Sequence, residues 1–310
     1  MKVRTSVRPL SRESHIETEL HSVTRPHQIG RQSEVVVIST CHPVETRYCQ
    51  GVINARPDGH TRYDFPNLTP PFLMRPTGFE VWRGLSPLDS QPIVAIATLN
   101  SDNRKTGNMI QVWILCQRGY PVDNARDGSD YSICGDCKHR LNALGIRTCY
   151  VNPGRGPQGI YKAWLKGNYP KLDLFNNKAQ EGLFRGRSLR WGAYGDPSLL
   201  PLHIIDRINS WVDSSTAYTH QWRQSWAQPL RHTMMASCDS LEDHFTATSL
   251  GWKTFNVLRP NAQDFEHAKQ CPNTVANSEA QCITCKLCDG NHTNIWVAAH
   301  GTSKGAVNYV

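Results

Sequence analysis

The sequence predicts an α/β fold with parallel strands, in the form of a barrel or partial (β/α) barrel with a cysteine-rich C-terminal segment. Short apolar segments of strand length recur from Phe79 onward, and segments with helical periodicity lie between several of them. Consecutive parallel strands require a crossover long enough to hold a helix, so this alternation favours a parallel sheet. An open doubly wound sheet is the alternative.

The predicted strands of the main domain are apolar segments of four to eight residues, a length typical of buried strands. They are 93–99, 110–115, 147–151, 189–194, 217–220, 233–237, 253–258 and 295–299. Apolar residues at helical spacing predict a helix over Leu199–Val212, where Pro201 suits the first turn. A second helix is predicted to begin at Ser240, the first residue of a capping sequence, and to stop near Gly251.

Residues 1–73 differ in composition from the rest of the chain, because they are rich in Arg, His, Ser, Thr and Pro. They contain one strand candidate, 34–39, and lead into a proline-rich stretch at 66–76. We therefore predict a partly flexible N-terminal extension joined by a linker to an α/β metal-binding domain at 74–310.

The overall composition indicates a globular protein of the cytosol. The chain has 310 residues, and no stretch approaches the roughly 20 apolar residues that span a bilayer. Its polar start lacks the apolar segment of a secretion signal, so we expect no membrane partner. The net charge of +8 is compatible with a nucleic-acid partner, although the basic residues are scattered and solubility alone accounts for such a charge.

Cysteine spacing predicts a metal site near the C-terminus. The chain has 11 cysteines, an odd number that excludes complete pairing in disulfides. Cys271, Cys282, Cys285 and Cys288 follow the pattern C-x10-C-x2-C-x2-C, in which two-residue intervals let the thiolates converge on one centre. These four residues are predicted to bind either tetrahedral zinc or an iron–sulfur cluster.

A second group consists of Cys134, Cys137 and Cys149, with the spacing C-x2-C-x11-C. We predict that it also binds metal, although a redox pair is an alternative. Three kinds of source for the missing ligand are open. They are one of the side chains of Cys116, His139 and Cys238, the C-terminal cysteines, or a substrate at an open coordination position.

Polar residues that follow predicted strands are the candidates for catalysis. Asp196, His220 and Asp239 come after three such strands, and the carboxyl ends of parallel strands gather at one edge of the fold. A carboxylate beside a histidine forms a general acid/base pair or supplies further metal ligands. The alternatives are helix caps for the two aspartates and an ordinary hydrogen-bonded histidine.

Residues 154–159 fit the pattern G-x-G-x-x-G of dinucleotide-binding sites, with Gly154, Gly156 and Gly159 as the glycines. The pattern follows a short apolar segment and precedes a segment of helical character, so the three glycines are candidates for cofactor binding. A less specific anion site at the start of that helix is the alternative. Lys105-Thr106 lacks the upstream glycine of a nucleotide-binding P-loop.

Several short motifs stand out in their order along the chain before the C-terminal cysteines. They are 78–84 (GFEVWRG), 103–107 (NRKTG), 134–137 (CGDC), 194–197 (YGDP), 218–222 (YTHQW) and 235–239 (MASCD). Together they resemble an uncharacterised family encoded mainly by bacteriophages, a domain of unknown function, over residues 78 to 301. The chain is also loosely similar to the mycobacteriophage gene product 88 family and to radical S-adenosylmethionine (radical SAM) barrels.

This resemblance implies an iron–sulfur barrel and, for a phage-encoded protein, a place in the host cytoplasm. The spacing C-x2-C-x11-C differs from the C-x3-C-x2-C of radical SAM proteins. Two hypotheses follow for function. The first is an iron–sulfur or zinc enzyme acting on an unidentified substrate at the carboxyl ends of the strands. The second is a zinc-stabilised module that binds nucleic acid or a host protein without catalysis.

Overall fold

The structure is a computed structural model in which the chain divides into two compact units, Met1–Met74 and Arg75–Val310. It describes the backbone of residues 35–39, 49–55 and 61–64, and residues 76–300 and 304–307. In the first unit, three strands form an antiparallel sheet in the order β1-β2-β3. They are β1 (Val35–Ser39), β2 (Cys49–Ala55) and β3 (Thr61–Asp64). The predicted flexibility of the N-terminal extension and the linker 66–75 lie outside the described residues.

The second unit contains two five-stranded sheets. Its strands are β4 (Gly78–Leu85), β5 (Pro92–Thr98), β6 (Ile110–Cys116), β7 (Ser188–Tyr194), β8 (Ser214–Thr216), β9 (Tyr218–Thr219), β10 (Met235–Cys238), β11 (Thr254–Leu258), β12 (Lys269–Gln270) and β13 (Ile295–Ala298). Its helices are α1 (Pro121–Asp127), α2 (Tyr131–Cys134), α3 (Gly156–Leu165), α4 (Lys178–Gly182), α5 (Leu202–Asn209), α6 (Leu241–Ser249) and α7 (Cys282–Cys285), with short 3-10 helices between them.

The first of these sheets has the order β4-β5-β6-β7-β8, and the second has the order β12-β13-β11-β10-β9. Strands β6, β7 and β8 pair in parallel, as do all the neighbours in the second sheet. Helices lie in the crossovers, with α5 between β7 and β8 and α6 between β10 and β11. Only Ala217 separates β8 from β9, so the chain passes directly from one sheet to the other.

The core of the second unit is built on strands that are buried along almost their whole length. Strands β5 and β6 are mainly apolar, with Thr98 and Gln111 as polar exceptions, a pattern typical of strands covered on both faces. Large aromatic side chains fill the space around them and are almost completely buried. They are Phe79, Phe184, Trp191, Trp222 and Trp252.

The predicted mixed fold with parallel strands is confirmed, while the described strands form no closed barrel. Among the described residues, no helix combines the length and apolar character needed to cross a membrane. The strand predicted over 147–151 is wrong, because this segment belongs to a loop. Its backbone bonds stay within that loop, where Cys149 N–H donates to the carbonyl of His139 over 2.9 Å.

Helix α6 starts as its capping sequence predicts, directly after the candidate residue Asp239. The hydroxyl oxygen of Ser240 accepts a hydrogen bond of 3.0 Å from the backbone N–H of Asp243. This bond satisfies one of the amide donors that a helix N-terminus leaves without an internal partner. Gly251 has a φ of +84° just beyond the helix, as expected for a C-terminal stop.

We predict that Ser240→Ala lowers the free energy of unfolding by about 1 kcal/mol, because the cap of α6 is lost. Urea unfolding followed by circular dichroism measures this change. The matched control is Ser249→Ala, which removes an exposed hydroxyl at the other end of the same helix. Equal losses in both variants would contradict the assigned cap.

Candidate functional site

A cavity of about 230 Å³ runs along the strands of the second unit. Its walls come from the loop after β6, the carboxyl ends of β7 and β9, the loop before β6 and the C-terminal segment. Both predicted cysteine groups contribute to it. The ionisable and thiol side chains that line it are Lys105, Cys134, Cys137, His139, Cys149, Tyr150, Arg190, Tyr194, Asp196, Tyr218, His220, Cys271, Cys282 and His300.

The group Cys134, Cys137 and Cys149 is positioned by the loop that follows α2. Cys134 ends this helix, and the backbone N–H of Cys137 donates to the carbonyl of Cys134 over 3.3 Å. The loop then folds back, which brings Cys149 to the same cavity. Of the three single side chains proposed as the fourth ligand, only His139 lines the cavity, which Cys271 and Cys282 of the C-terminal group also line. The thiols of Cys116 and Cys238 instead face backbone carbonyls.

The C-terminal group lines a smaller cavity of about 30 Å³, and Cys271 and Cys282 face both cavities. Cys271 follows β12, and helix α7 carries Cys282 and Cys285. The start of α7 is held by the loop before β6. The backbone N–H of Cys282 donates to the carbonyl of Lys105 over 3.0 Å. The Lys-Thr motif that superficially resembles a phosphate loop therefore anchors a cysteine helix.

The cysteines of the two groups form no disulfide. Every cysteine whose side chain the structure describes is a free thiol. Within the described part of the chain, neither cysteine group brings three Sγ atoms within 4.8 Å of one another. Around a single tetrahedral zinc ion, Zn–S bonds of about 2.3 Å place the sulfur atoms about 3.8 Å apart, so the thiols would move closer together to bind one zinc ion.

Burial makes these thiols poor anions on their own. It raises the pKa of Cys134, Cys149 and Cys282, and it raises the pKa of Cys288 to about 12. A coordinated metal ion reverses this effect, because it stabilises the thiolate directly. Burial therefore favours neutral thiols when no metal is bound, and a bound metal favours thiolates.

An arginine accompanies each cysteine group and partly offsets the effect of burial. The guanidinium of Arg147 lowers the pKa of Cys149, and that of Arg190 lowers the pKa of Cys282. The Nε atoms of both arginines are buried and make no hydrogen bond with the described residues. Neither arginine is paired with a carboxylate in that part of the chain, so both positive charges are available to the anionic sulfurs.

Asp196 accepts four hydrogen bonds in a site where its carboxylate is buried. Its Oδ1 atom accepts from the backbone N–H of Ser198 at 3.0 Å and from its hydroxyl at 2.8 Å. Its Oδ2 atom accepts from the Thr219 hydroxyl at 3.0 Å and from the backbone N–H of His220 at 2.8 Å. The carboxylate thus caps the turn after β7, as the helix-cap alternative predicts. It also fixes the end of β9, where His220 lies.

The backbone before Asp196 requires glycine. Gly195 has a φ of +76°, and a Cβ atom there would lie 2.7 Å from the carbonyl oxygen of Ile114 in β6. A side chain is therefore excluded both by the backbone conformation and by the neighbouring strand. The motif Tyr194-Gly195-Asp196-Pro197 describes a tight turn that directs a carboxylate toward the next strand.

His220 and Asp239 meet, together with His139. The Nε2 atom of His220 lies 3.4 Å from Oδ2 of Asp239, and the Nε2 atom of His139 lies 3.2 Å from Oδ1. Cys137 Sγ lies 3.7 Å from His220 Nε2. Burial opposes the charged form of His220, but Cys137 and Asp239 together raise its pKa. Burial acts in the opposite sense on Asp239, whose pKa the two histidines hold well below its usual range.

The three glycines of the dinucleotide pattern lie away from this site. Gly154, Gly156 and Gly159 are exposed, do not line the cavity and are not preceded by a strand. Gly156 packs closely against the ring of Trp113, since a Cβ atom at position 156 would lie 2.8 Å from that ring. The local structure therefore lacks the strand, turn and helix arrangement that dinucleotide binding requires.

Sequence reasoning missed the roles of His139, Arg147 and Arg190. The position of His139 two residues after Cys137 indicates the same site, but only the fold shows that its imidazole faces Asp239. The arginines carried no usable signal, because the sequence contains many others and only the fold places these two beside cysteines.

Comparisons with known proteins assign no family. The chain matches no protein-family model, and neither a curated protein nor a solved structure matches it.

We predict that Asp196→Asn lowers the free energy of unfolding by about 2 kcal/mol or more. An amide offers only one acceptor oxygen, so buried donors at Ser198 or Thr219 lose their partner. Urea unfolding measures the loss, with the exposed Asp213→Asn as the matched control. A change below about 0.5 kcal/mol, the usual size for surface substitutions, would contradict the role assigned to Asp196.

Proposed function

We propose that the protein is an iron–sulfur enzyme whose substrate binds in the cavity between its two cysteine groups. One observation carries the proposal. Cysteines more than 100 positions apart in the sequence, Cys134, Cys137 and Cys149 on one side and Cys271 and Cys282 on the other, line the same cavity. Such convergence is difficult to explain for thiols that serve only as apolar core residues.

The fold supports this proposal as a partial barrel. Strands β6, β7 and β8 and the strands of the second sheet are parallel, and Ala217 alone separates β8 from β9. The cysteine loop follows the first parallel strand, and Asp196, His220 and Asp239 follow later ones. The resemblance to the gene product 88 family and to radical SAM barrels supports the same assignment of an iron–sulfur barrel.

Each cysteine group has a different role in this proposal. Cys271, Cys282, Cys285 and Cys288 supply the four thiolates that complete the ligation of one cluster. Cys134, Cys137 and Cys149 would supply three thiolates to a second cluster, and all three line the cavity. A cluster held there would supply electrons or a Lewis-acidic iron, while Asp196 keeps His220 at the cavity wall.

Four cysteine ligands suit an iron–sulfur cluster or a tetrahedral zinc ion, so the identity of the metal decides between the two functions. The zinc-stabilised binding module is the competing function, and it predicts a colourless protein.

We predict that the anaerobically purified full-length protein is brown and contains iron and acid-labile sulfide. Cys134→Ala and Cys285→Ala should each lower the iron content by about half, because each variant loses a ligand of one cluster. Iron and sulfide analysis with visible absorption spectroscopy measures both effects. Cys238→Ala is the matched control, since its buried thiol lies outside the cavity and bonds to the carbonyl of Ala236.

A colourless protein with stoichiometric zinc would overturn the proposal and favour the binding module. Iron loss in Cys238→Ala equal to that in Cys134→Ala would also contradict it, because the effect would then reflect general destabilisation. Thermal unfolding of all three variants identifies that case.

A further inference from the structure

Beyond the two cysteine groups, we propose that His139, His220 and Asp239 form a separate binding site for a single divalent transition-metal ion. Within the described part of the chain, they are the one group of three His, Cys, Asp or Glu residues whose ligand atoms all lie within 4.8 Å of one another. Two histidines and one carboxylate are the ligand set of mononuclear iron(II) sites and also suit zinc and manganese.

The distances agree with such a site. Ligand atoms bound about 2.0 to 2.2 Å from one ion, at tetrahedral or octahedral angles, lie about 2.8 to 3.6 Å apart. The two separations between Asp239 oxygens and histidine Nε2 atoms are 3.2 Å for His139 and 3.4 Å for His220. Each imidazole faces a different oxygen of the same carboxylate, so an ion between them contacts all three side chains.

A hydrogen bond outside the three ligands orients one imidazole. His139 Nδ1 lies 2.9 Å from the hydroxyl of Thr148, which leaves Nε2 directed at Asp239. Metal-binding histidines usually use their second ring nitrogen in this way, because the bond fixes the ring and its tautomer. Asp196 helps to position His220 in a related way, because its carboxylate accepts a hydrogen bond from the backbone N–H of His220.

The charges around Asp239 leave room for a cation. Its side chain is 3% exposed, and among the described residues its ion-pair partners are the two histidines alone. The neighbouring cations Lys138 and Arg223 both pair with Asp243 instead, at 3.5 and 2.6 Å. A buried carboxylate requires a compensating positive charge, and here no lysine or arginine competes with the imidazoles, or with a divalent ion bound between them, to supply it.

The site opens on the cavity. His139 and His220 line it, whereas Asp239 lies behind them. Three protein ligands leave coordination positions for water or for a substrate oxygen, as in catalytic metal sites. Cys137 Sγ, 3.7 Å from His220 Nε2, links this site to the first cysteine group.

Binding of Mn²⁺ to the full-length protein tests the site, because carboxylate and water ligands suit Mn²⁺ whereas thiolates do not. The electron paramagnetic resonance signal of free Mn²⁺ gives its concentration, and we expect one bound ion per chain. Asp239→Asn and His220→Ala should abolish this binding. Thr148→Val should weaken it by about tenfold to 100-fold, the usual effect of removing the partner of a histidine ligand.

Glu266→Gln is the matched control and should leave Mn²⁺ binding unchanged. Its carboxylate also faces a histidine, His267, at 3.3 Å, but it is exposed and has no third ligand. Absence of a bound ion, or equal affinities for the native protein and Asp239→Asn, would overturn the site. If Asp239→Asn does not fold, an unchanged affinity in Thr148→Val overturns it.

The same measurement separates this site from the proposed clusters. Mn²⁺ binding that persists in Cys134→Ala supports a histidine site that is independent of the first cysteine group. Mn²⁺ binding by native protein that contains neither iron nor sulfide after anaerobic purification supports the histidine site and contradicts the iron–sulfur enzyme. Intact cluster absorption with no Mn²⁺ bound supports the iron–sulfur enzyme and overturns the histidine site.

Discussion

The geometry of the site depends on the hydrogen bonds that the carboxylate of Asp196 accepts. This carboxylate is buried, and it accepts hydrogen bonds from the turn after β7 and from the end of β9 at once. A buried carboxylate that is fully hydrogen-bonded is stable, whereas loss of any donor leaves a large desolvation cost. The hydrogen bond to the backbone N–H of His220 therefore helps to place its imidazole beside Cys137 and Asp239. The first cysteine group and the histidine site both depend on this position of His220.

Electrostatics connects the two ends of the cavity. Burial disfavours the thiolate form, and one arginine at each cysteine group favours it. Arg147 and Arg190 thus act as counter-charges beside buried thiols, where charges act more strongly than at the surface. Behind the two histidines that line the cavity, Asp239 lies between their imidazoles.

Much of the fold was predictable because its strands are apolar and its helices have clear ends, as at Ser240 and Gly251. The convergence of Asp196, His220 and Asp239 followed from one rule, that parallel strands end at the same edge. The segment 147–151 was misleading because strand-like composition does not show whether a pairing partner exists. Likewise, position 156 requires glycine because the ring of Trp113 leaves no space for a side chain, not because a phosphate binds there. This contact joins residues far apart in the sequence, so local patterns do not reveal it. The flexibility of residues 1–73 and the metal content stay predictions.

The position of β13 constrains the order in which the chain can fold. This last strand lies inside its sheet, between β11 and β12, instead of at an edge. Until residues 295–298 have been synthesised, β11 and β12 both present unpaired backbone groups, which are prone to pairing with other chains. Helix α7 must also return to the carbonyl of Lys105, across most of the sequence of the unit. Contacts of such long range form slowly, so the newly made protein has an incomplete sheet until residues 295–298 have paired.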